Sequence, residues 1–266
     1  MVNLRKPSWK RLLLFLALVS LLSCSISSAF GFQDSPFNEF ISNNSDEIYH
    51  HAQLTTVLIL TSDSCGSGVI IHNHAQTYTV LTNWHVVADI PNLIILTHDG
   101  QTHIPSNQPL PIDTIDLATL QFISPTPYTT ATAITTPLTQ GQPTYASGFS
   151  AKSIIKTACT PKNFTLTQGN ISLLPERSLP DGYRLGYTND IERGMSGGPI
   201  FDTNGNLIGI NGRIKYRDPA FGVYTFEDGT EPSEAMLAQM ITSSWGIPIQ
   251  TYLDLAPTAL EDNTEQ

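Results

Sequence analysis

Most of this chain is written in short runs of β-branched and aromatic residues separated by turn-forming ones, and that alternation narrows the fold more than any other feature. The runs are TTVLILT, GVIIHN, TYTVLTN, LIILTH, LATLQF, FTLTQ, YRLGYT, PIFDT, NLIGING and FGVYTF, each bounded by Gly, Pro, Asn or Asp. Each is too short for a helix, and their spacing leaves no room for helical crossovers, so they predict an all-β barrel or sandwich. Asn204-Gly205, between PIFDT and NLIGI, predicts a two-residue hairpin. The clear helical pattern comes late: Thr230 is a candidate cap, with Met236, Leu237, Met240 and Ile241 as the apolar stripe. Residues 30–51 contain SNNSDE and no sustained period, and read as a linker or N-terminal arm.

The first residues read as a processing signal. Arg5, Lys6, Lys10 and Arg11 precede the apolar stretch Leu12 to Leu22, and Ser27-Ser28-Ala29 offers small residues for cleavage, so 1–29 predicts export to a periplasmic or extracellular space. Leu21-Leu22-Ser23-Cys24 loosely resembles a lipoprotein box, which leaves lipidation of Cys24 as the alternative to simple cleavage and as the expected membrane attachment. With four of thirteen basic residues in this signal and none of the acidic ones, nine basic residues face twenty-three acidic ones beyond it, a net charge of −14. Nucleic acid is not an expected partner for such a surface. LEDNTEQ reads as an acidic tail over 256–266. Two cysteines follow the signal, Cys65 and Cys159; an oxidising compartment would let them pair, and two buried thiols are the alternative.

The string IERGMSGGPI sets Ser196 among glycines. By itself this is a surface turn; with a base in reach it is a nucleophile beside exposed backbone N–H groups. Gly194-Met195-Ser196-Gly197-Gly198 also satisfies the nucleophile elbow of α/β-hydrolases, but there the histidine follows the serine, and all seven histidines here precede Ser196. A His, Asp, Ser order on β-barrels remains. His85, between Trp84 and Val86 at the end of an apolar run, is the favoured base; His50, His51, His72, His74, His98 and His103 sit beside polar or turn residues. The spacing of His72 and His74 suggests a metal only weakly, and no metal or organic cofactor is expected. Asp116, leading into LATLQF, is favoured as the orienting carboxylate over Asp113 and Asp89.

With GSGVIIHN, VLTNWHVV, DLATL, GMSGGPIFD and GNLIGIN in that order, roughly Thr55 to Ile249 resembles bacterial trypsin-like serine proteases of the chymotrypsin fold, closest to the high-temperature-requirement and glutamyl-endopeptidase types. The resemblance implies two antiparallel six-stranded β-barrels with a short late helix, a protease domain over 52–255, and protein or peptide substrates. It implies a catalytic triad of His85, Asp116 and Ser196, an oxyanion hole from the N–H groups of Gly194 and Ser196, and substrate pairing along Asn211, Gly212 and Arg213. Asp190, six residues before Ser196, matches the acidic pocket residue that favours Lys or Arg, with Arg193 and Arg213 as partners able to neutralise it. Met195 stands where digestive members carry an activating aspartate, and Val86 where a disulfide partner of Cys65 would be expected. No peptide-binding module is expected after residue 255. The expected function is an exported serine endopeptidase; an inactive protease-like peptide-binding protein and an esterase using the same triad are the alternatives.

Overall fold

The computed structural model describes residues 36–62, 64–151, 159–219 and 223–256, with side chains from residue 45 onward. The expected signal, Cys24 and nearly all of the acidic tail lie outside the described residues. The chain groups into Met1–Asn43 and Asn44–Gln266. Among the described residues no helix is long and apolar enough to cross a membrane.

Helix α1 (Pro36–Thr55) leads into a sheet made of β1 (Thr56–Leu60), β2 (Cys65–His74), β3 (Thr77–Thr82), β4 (Ile94–Leu96), β5 (Thr102–His103), β6 (Leu110–Pro111) and β7 (Ala118–Ile123), with the four-residue helix α2 (Trp84–Val87) after β3. The seven strands are ordered β5-β4-β1-β2-β3-β7-β6. Val57, Ile59, Val80, Leu120 and Phe122 fill the inside of this curled sheet. The alternation of inward and outward residues in β7 is the period of two expected of a strand with one face on a core.

The second sheet closes into a six-stranded barrel, ordered β10-β13-β12-β11-β8-β9. Its strands are β8 (Pro143–Phe149), β9 (Phe164–Leu173), β10 (Leu185–Tyr187), β11 (Pro199–Phe201), β12 (Leu207–Arg213) and β13 (Ser244–Pro248), with α3 (Glu234–Ile241) before β13 and α4 (Ile249–Leu255) after it. Ala146, Ile171, Tyr187, Ile200 and Ile208 are among its buried side chains. Cys65 and Cys159 form a disulfide with their Cα atoms 6.2 Å apart.

Several local expectations change. The stretch read as an arm is helical from Pro36, with Ile48 and Ala52 on α1 buried in the core and Asp46 and Glu47 exposed, so the polar SNNSDE lies within a helix and not a loop. The late helix starts at Glu234 and is capped by Ser233, whose hydroxyl accepts from the Met236 N–H at 3.3 Å, not by Thr230. β11 and β12 form the expected hairpin, but the turn is wider than two residues: Asp202 N–H donates to the Asn206 carbonyl, and Asp202 Oδ1 accepts from the N–H groups of Asn204 and Asn206. In FGVYTF, the described residues Val223 to Phe226 are turn, not strand.

Candidate active site

The register of the first sheet brings together the two residues of its half of the site. Thr82, the last residue of β3, pairs with Ala118, the first of β7. The chain leaving β3 and the chain entering β7 therefore lie side by side at one end of the sheet, where His85 is the second residue of α2 and Asp116 precedes β7. Asp116 grips His85 twice: Oδ1 accepts the His85 backbone N–H at 2.8 Å, and Oδ2 lies 2.6 Å from the ring Nδ1. The Asn83 side-chain amide donates to the Asp116 carbonyl at 2.8 Å, so the carboxylate's own backbone is tied to the same turn. The Asp116 side chain is largely buried whereas the His85 side chain is about half exposed. Burial opposes the Asp116 charge, but the hydrogen bond and charge of His85 and a further hydrogen bond from Tyr183 outweigh it, and hold the carboxyl below its ordinary range.

Ser196 comes from the second barrel, three residues before β11. Its carbonyl accepts the Ser67 N–H at 2.8 Å, and the Ser67 carbonyl in turn accepts the Thr82 hydroxyl at 2.7 Å, which ties the serine turn to the end of β3 that leads to His85. The Ser196 hydroxyl donates to the Gly212 carbonyl at 3.2 Å; among the described residues it makes no hydrogen bond to the His85 ring.

The turn before Ser196 is held from three sides. The Arg193 carbonyl accepts the Ala151 N–H at 2.7 Å, the Met195 N–H donates to the Glu192 carbonyl at 3.1 Å, and the buried Ser67 hydroxyl donates to the Gly194 carbonyl at 2.8 Å. Among the described residues the N–H groups of Gly194 and Ser196 have no acceptor, so two donors stand free beside the serine. Gly194 has φ of 91°, and a Cβ there would come within 2.4 Å of the Phe149 carbonyl oxygen, so the turn requires glycine on both counts. Met195 is fully buried beside Ile191 and Ile200, an apolar filling where an aspartate would need an ionic partner.

The residues read as substrate-binding divide. Gly212 lines a cleft of about 470 Å³ with Trp84, His85, Ile115, Arg213 and Arg217. Asn211 is fully buried and internal: its amide donates to the Ser147 carbonyl at 2.9 Å and its oxygen accepts the Tyr187 hydroxyl at 2.8 Å. Arg213 pairs with Asp181 at 2.7 Å, and Asp190 pairs with Lys215 at 2.5 Å, so neither expected arginine neutralises Asp190. Asp113 is exposed in the loop before Asp116, and Asp89 is exposed after α2. His72 and His74 lie at the outer end of β2. Two residues with no marking in the sequence belong to the site, Ser67 and Tyr183; the tyrosine sits in YRLGYT, where it reads as one more strand aromatic.

Comparison with known proteins identifies the family and the fold. A family model described as trypsin-like peptidase domain matches residues 66–210, more than half of the chain. Serine protease Do-like HtrA of Lactococcus lactis subsp. lactis (strain IL1403) is 28% identical over 206 residues, covering 77% of this chain and 47% of the relative. Magnetosome formation protease MamE of Paramagnetospirillum magneticum (strain ATCC 700264 / AMB-1) is 27% identical over 186 residues, covering 67% of this chain and 23% of that protein. The chain thus spans less than half the length of these curated relatives. Two solved structures of the HtrA-type protease AlgW with tripeptide superpose with TM-scores of 0.58 and 0.57 at 22% identity, covering 82% and 81% of this chain and 64% and 63% of theirs. That likeness shows the chymotrypsin-like two-barrel fold, with the first barrel here a curled seven-stranded sheet. By the family match over residues 66–210, this chain belongs to the trypsin-like peptidase domain family.

Proposed function

We propose that the chain is an exported serine endopeptidase that hydrolyses peptide bonds with His85, Asp116 and Ser196. The observation that carries this reading is the double grip of Asp116 on His85, because it fixes both the ring's direction and its tautomer: with Nδ1 donating to Asp116, Nε2 is the basic nitrogen. Rotation of the Ser196 side chain from the Gly212 carbonyl toward that nitrogen supplies the general base. The hydroxyl oxygen then attacks the substrate carbonyl while His85 takes its proton, and the developing oxyanion meets the free N–H groups of Gly194 and Ser196. Each such donor is worth roughly 3 to 4 kcal/mol in the transition state. Collapse returns the proton to the leaving amine and leaves an acyl-enzyme, which water attacks by the same route in reverse. The N-terminal pattern and the Cys65–Cys159 disulfide support export.

Asp190 is already balanced by Lys215, so a Lys or Arg side chain of the substrate would have to displace an internal cation. A peptide library is therefore expected to show no enrichment of Lys or Arg at the cleaved position. One observation favours the non-catalytic reading: the Ser196 hydroxyl rests on the Gly212 carbonyl and not on His85. A fluorophosphonate probe separates the two. Labelling of Ser196 in the purified protein and none in Ser196→Ala supports the protease; no labelling of a folded wild-type chain overturns it.

A further inference from the structure

Tyr183 ends the turn Pro180–Gly182 on the second barrel, yet its hydroxyl reaches Asp116 on the first. It donates to Asp116 Oδ2, the same oxygen that faces His85 Nδ1, while Oδ1 takes the His85 backbone N–H. The ring is 1% exposed. Burial and the neighbouring Asp116 charge push the Tyr183 hydroxyl well above the ordinary phenol range, so it stays protonated and donates.

Three further contacts fix this placement. The Asp181 carbonyl accepts the Asp116 N–H at 3.0 Å, so the turn itself docks on the backbone of the carboxylate. Arg213 donates to the Pro180 carbonyl at 2.9 Å, pairs with Asp181, and lies 4.0 Å over the centre of the Tyr183 ring. Gly212 makes room: a Cβ on it would lie 2.1 Å from the Tyr183 hydroxyl oxygen and 2.3 Å from the ring edge. Only glycine at 212 lets the hydroxyl occupy that position.

We infer that Tyr183 is a positioning residue that acts through Asp116, its hydroxyl fixing the carboxylate's rotation and sharing its charge so that the His85 ring is held for Ser196. The inference rests on the protease reading for its catalytic consequence, but the effect on His85 exists without turnover. The charged and titratable groups around the pair are His85 on α2, Tyr183 and Asp181 on the turn before β10, Arg213 on β12, and Arg217 across the cleft.

The test is Tyr183→Phe in the full chain, read first by NMR titration of the His85 ring. Without the phenolic donor the Asp116 charge is shared less and favours the imidazolium more. The His85 titration midpoint therefore moves up by about 0.3 pH unit or more relative to wild type. Gly212→Ala, which drives a methyl group into the hydroxyl's place and keeps the tyrosine, is expected to move it in the same direction and serves if Tyr183→Phe does not fold. In the active enzyme Tyr183→Phe lowers kcat by roughly tenfold with KM within about twofold, and the acidic limb of the kcat/KM profile follows the midpoint. A midpoint unchanged in the folded variants overturns the inference whatever activity does. A midpoint that moves in a protein whose wild type neither turns over substrate nor takes the probe sustains the role of Tyr183 and refutes the protease reading.

Discussion

Replacing Ser67 by alanine removes one oxygen that serves two backbone groups, one buried and one half-buried. The Ser67 hydroxyl donates to the Gly194 carbonyl at 2.8 Å and accepts the Phe149 N–H at 2.8 Å, and the residue is fully buried. The void left by one hydroxyl is too small for a water with partners of its own. Both backbone groups lose their partner, at roughly 1 to 3 kcal/mol for each buried group left unsatisfied, and partial relaxation of the exposed side of the turn brings the total to about 2 to 4 kcal/mol. For a domain of this size, each kcal/mol lowers Tm by about 2 to 4 °C, so a fall of about 4 to 16 °C is expected in a thermal unfolding scan. The Gly194 carbonyl belongs to the peptide between the two proposed oxyanion donors, the N–H groups of Gly194 and Ser196, so that turn loses one of its three restraints. A loss of about tenfold in kcat, or ~1.4 kcal/mol, is expected in an ester assay with KM nearly unchanged. A Ser67→Ala protein with Tm within about 2 °C of wild type and unchanged kcat would refute the reasoning, since neither cost can vanish while both contacts exist.

Asp116→Asn should lower kcat by about 10⁴-fold in the same assay, because an amide facing Nδ1 favours the wrong tautomer. Since folding depresses the Asp116 carboxyl below its ordinary value of 3.8, its contribution to stability is full above that pH and is lost as pH falls through the folded value. A denaturant titration series should therefore show Asp116→Asn flattening the acid limb below about pH 4. Burial first, then the nearby His50, lower the affinity of His51 for a proton; among the described residues its Nε2 has no partner, and its ring packs on Phe201. Stability from this group is full above its ordinary value of 6.5 and falls below it as the unfolded chain takes up the proton; His51→Leu should remove that slope in chemical denaturation between about pH 6.5 and 5. Reduction of Cys65–Cys159, which closes a sequence separation of 94, should cost about 2 to 5 kcal/mol, measured as a Tm shift between oxidised protein and Cys159→Ser.

What the sequence made legible is what is written in consecutive residues. The strings around His85, Asp116 and Ser196 each place a reactive side chain at a strand boundary, and boundaries are marked by local turn chemistry. β8 escaped because PTYASGF is built from small residues: Gly148 lies where a Cβ would be 2.7 Å from Met195 Cα, so close packing of the second barrel selects against the β-branched residues that announce a strand. α1 escaped because, among its described side chains, Ile48 and Ala52 alone join the apolar core cluster, too few to set a helical period in a polar stretch. Ser67 and Tyr183 are further from reach, since their roles lie across 127 and 67 residues of chain and no local pattern encodes such partners.

The contact from Tyr183 to Asp116 and the Ser67 ties to Gly194 and Ser196 run between sheets that are finished at different times. As the chain emerges during synthesis, every strand carrying His85 and Asp116 precedes every strand of the closed barrel. His85 and Asp116 are made while Ser196 does not yet exist, and the serine's turn, though braced within its own half by Ala151 and Glu192, lacks its third restraint until it meets Ser67 of the first sheet. Under the proposed mechanism, cutting power is then a property of the two sheets together and not of either one, so an incomplete or unfolded chain carries the residues of a protease without the hazard of one.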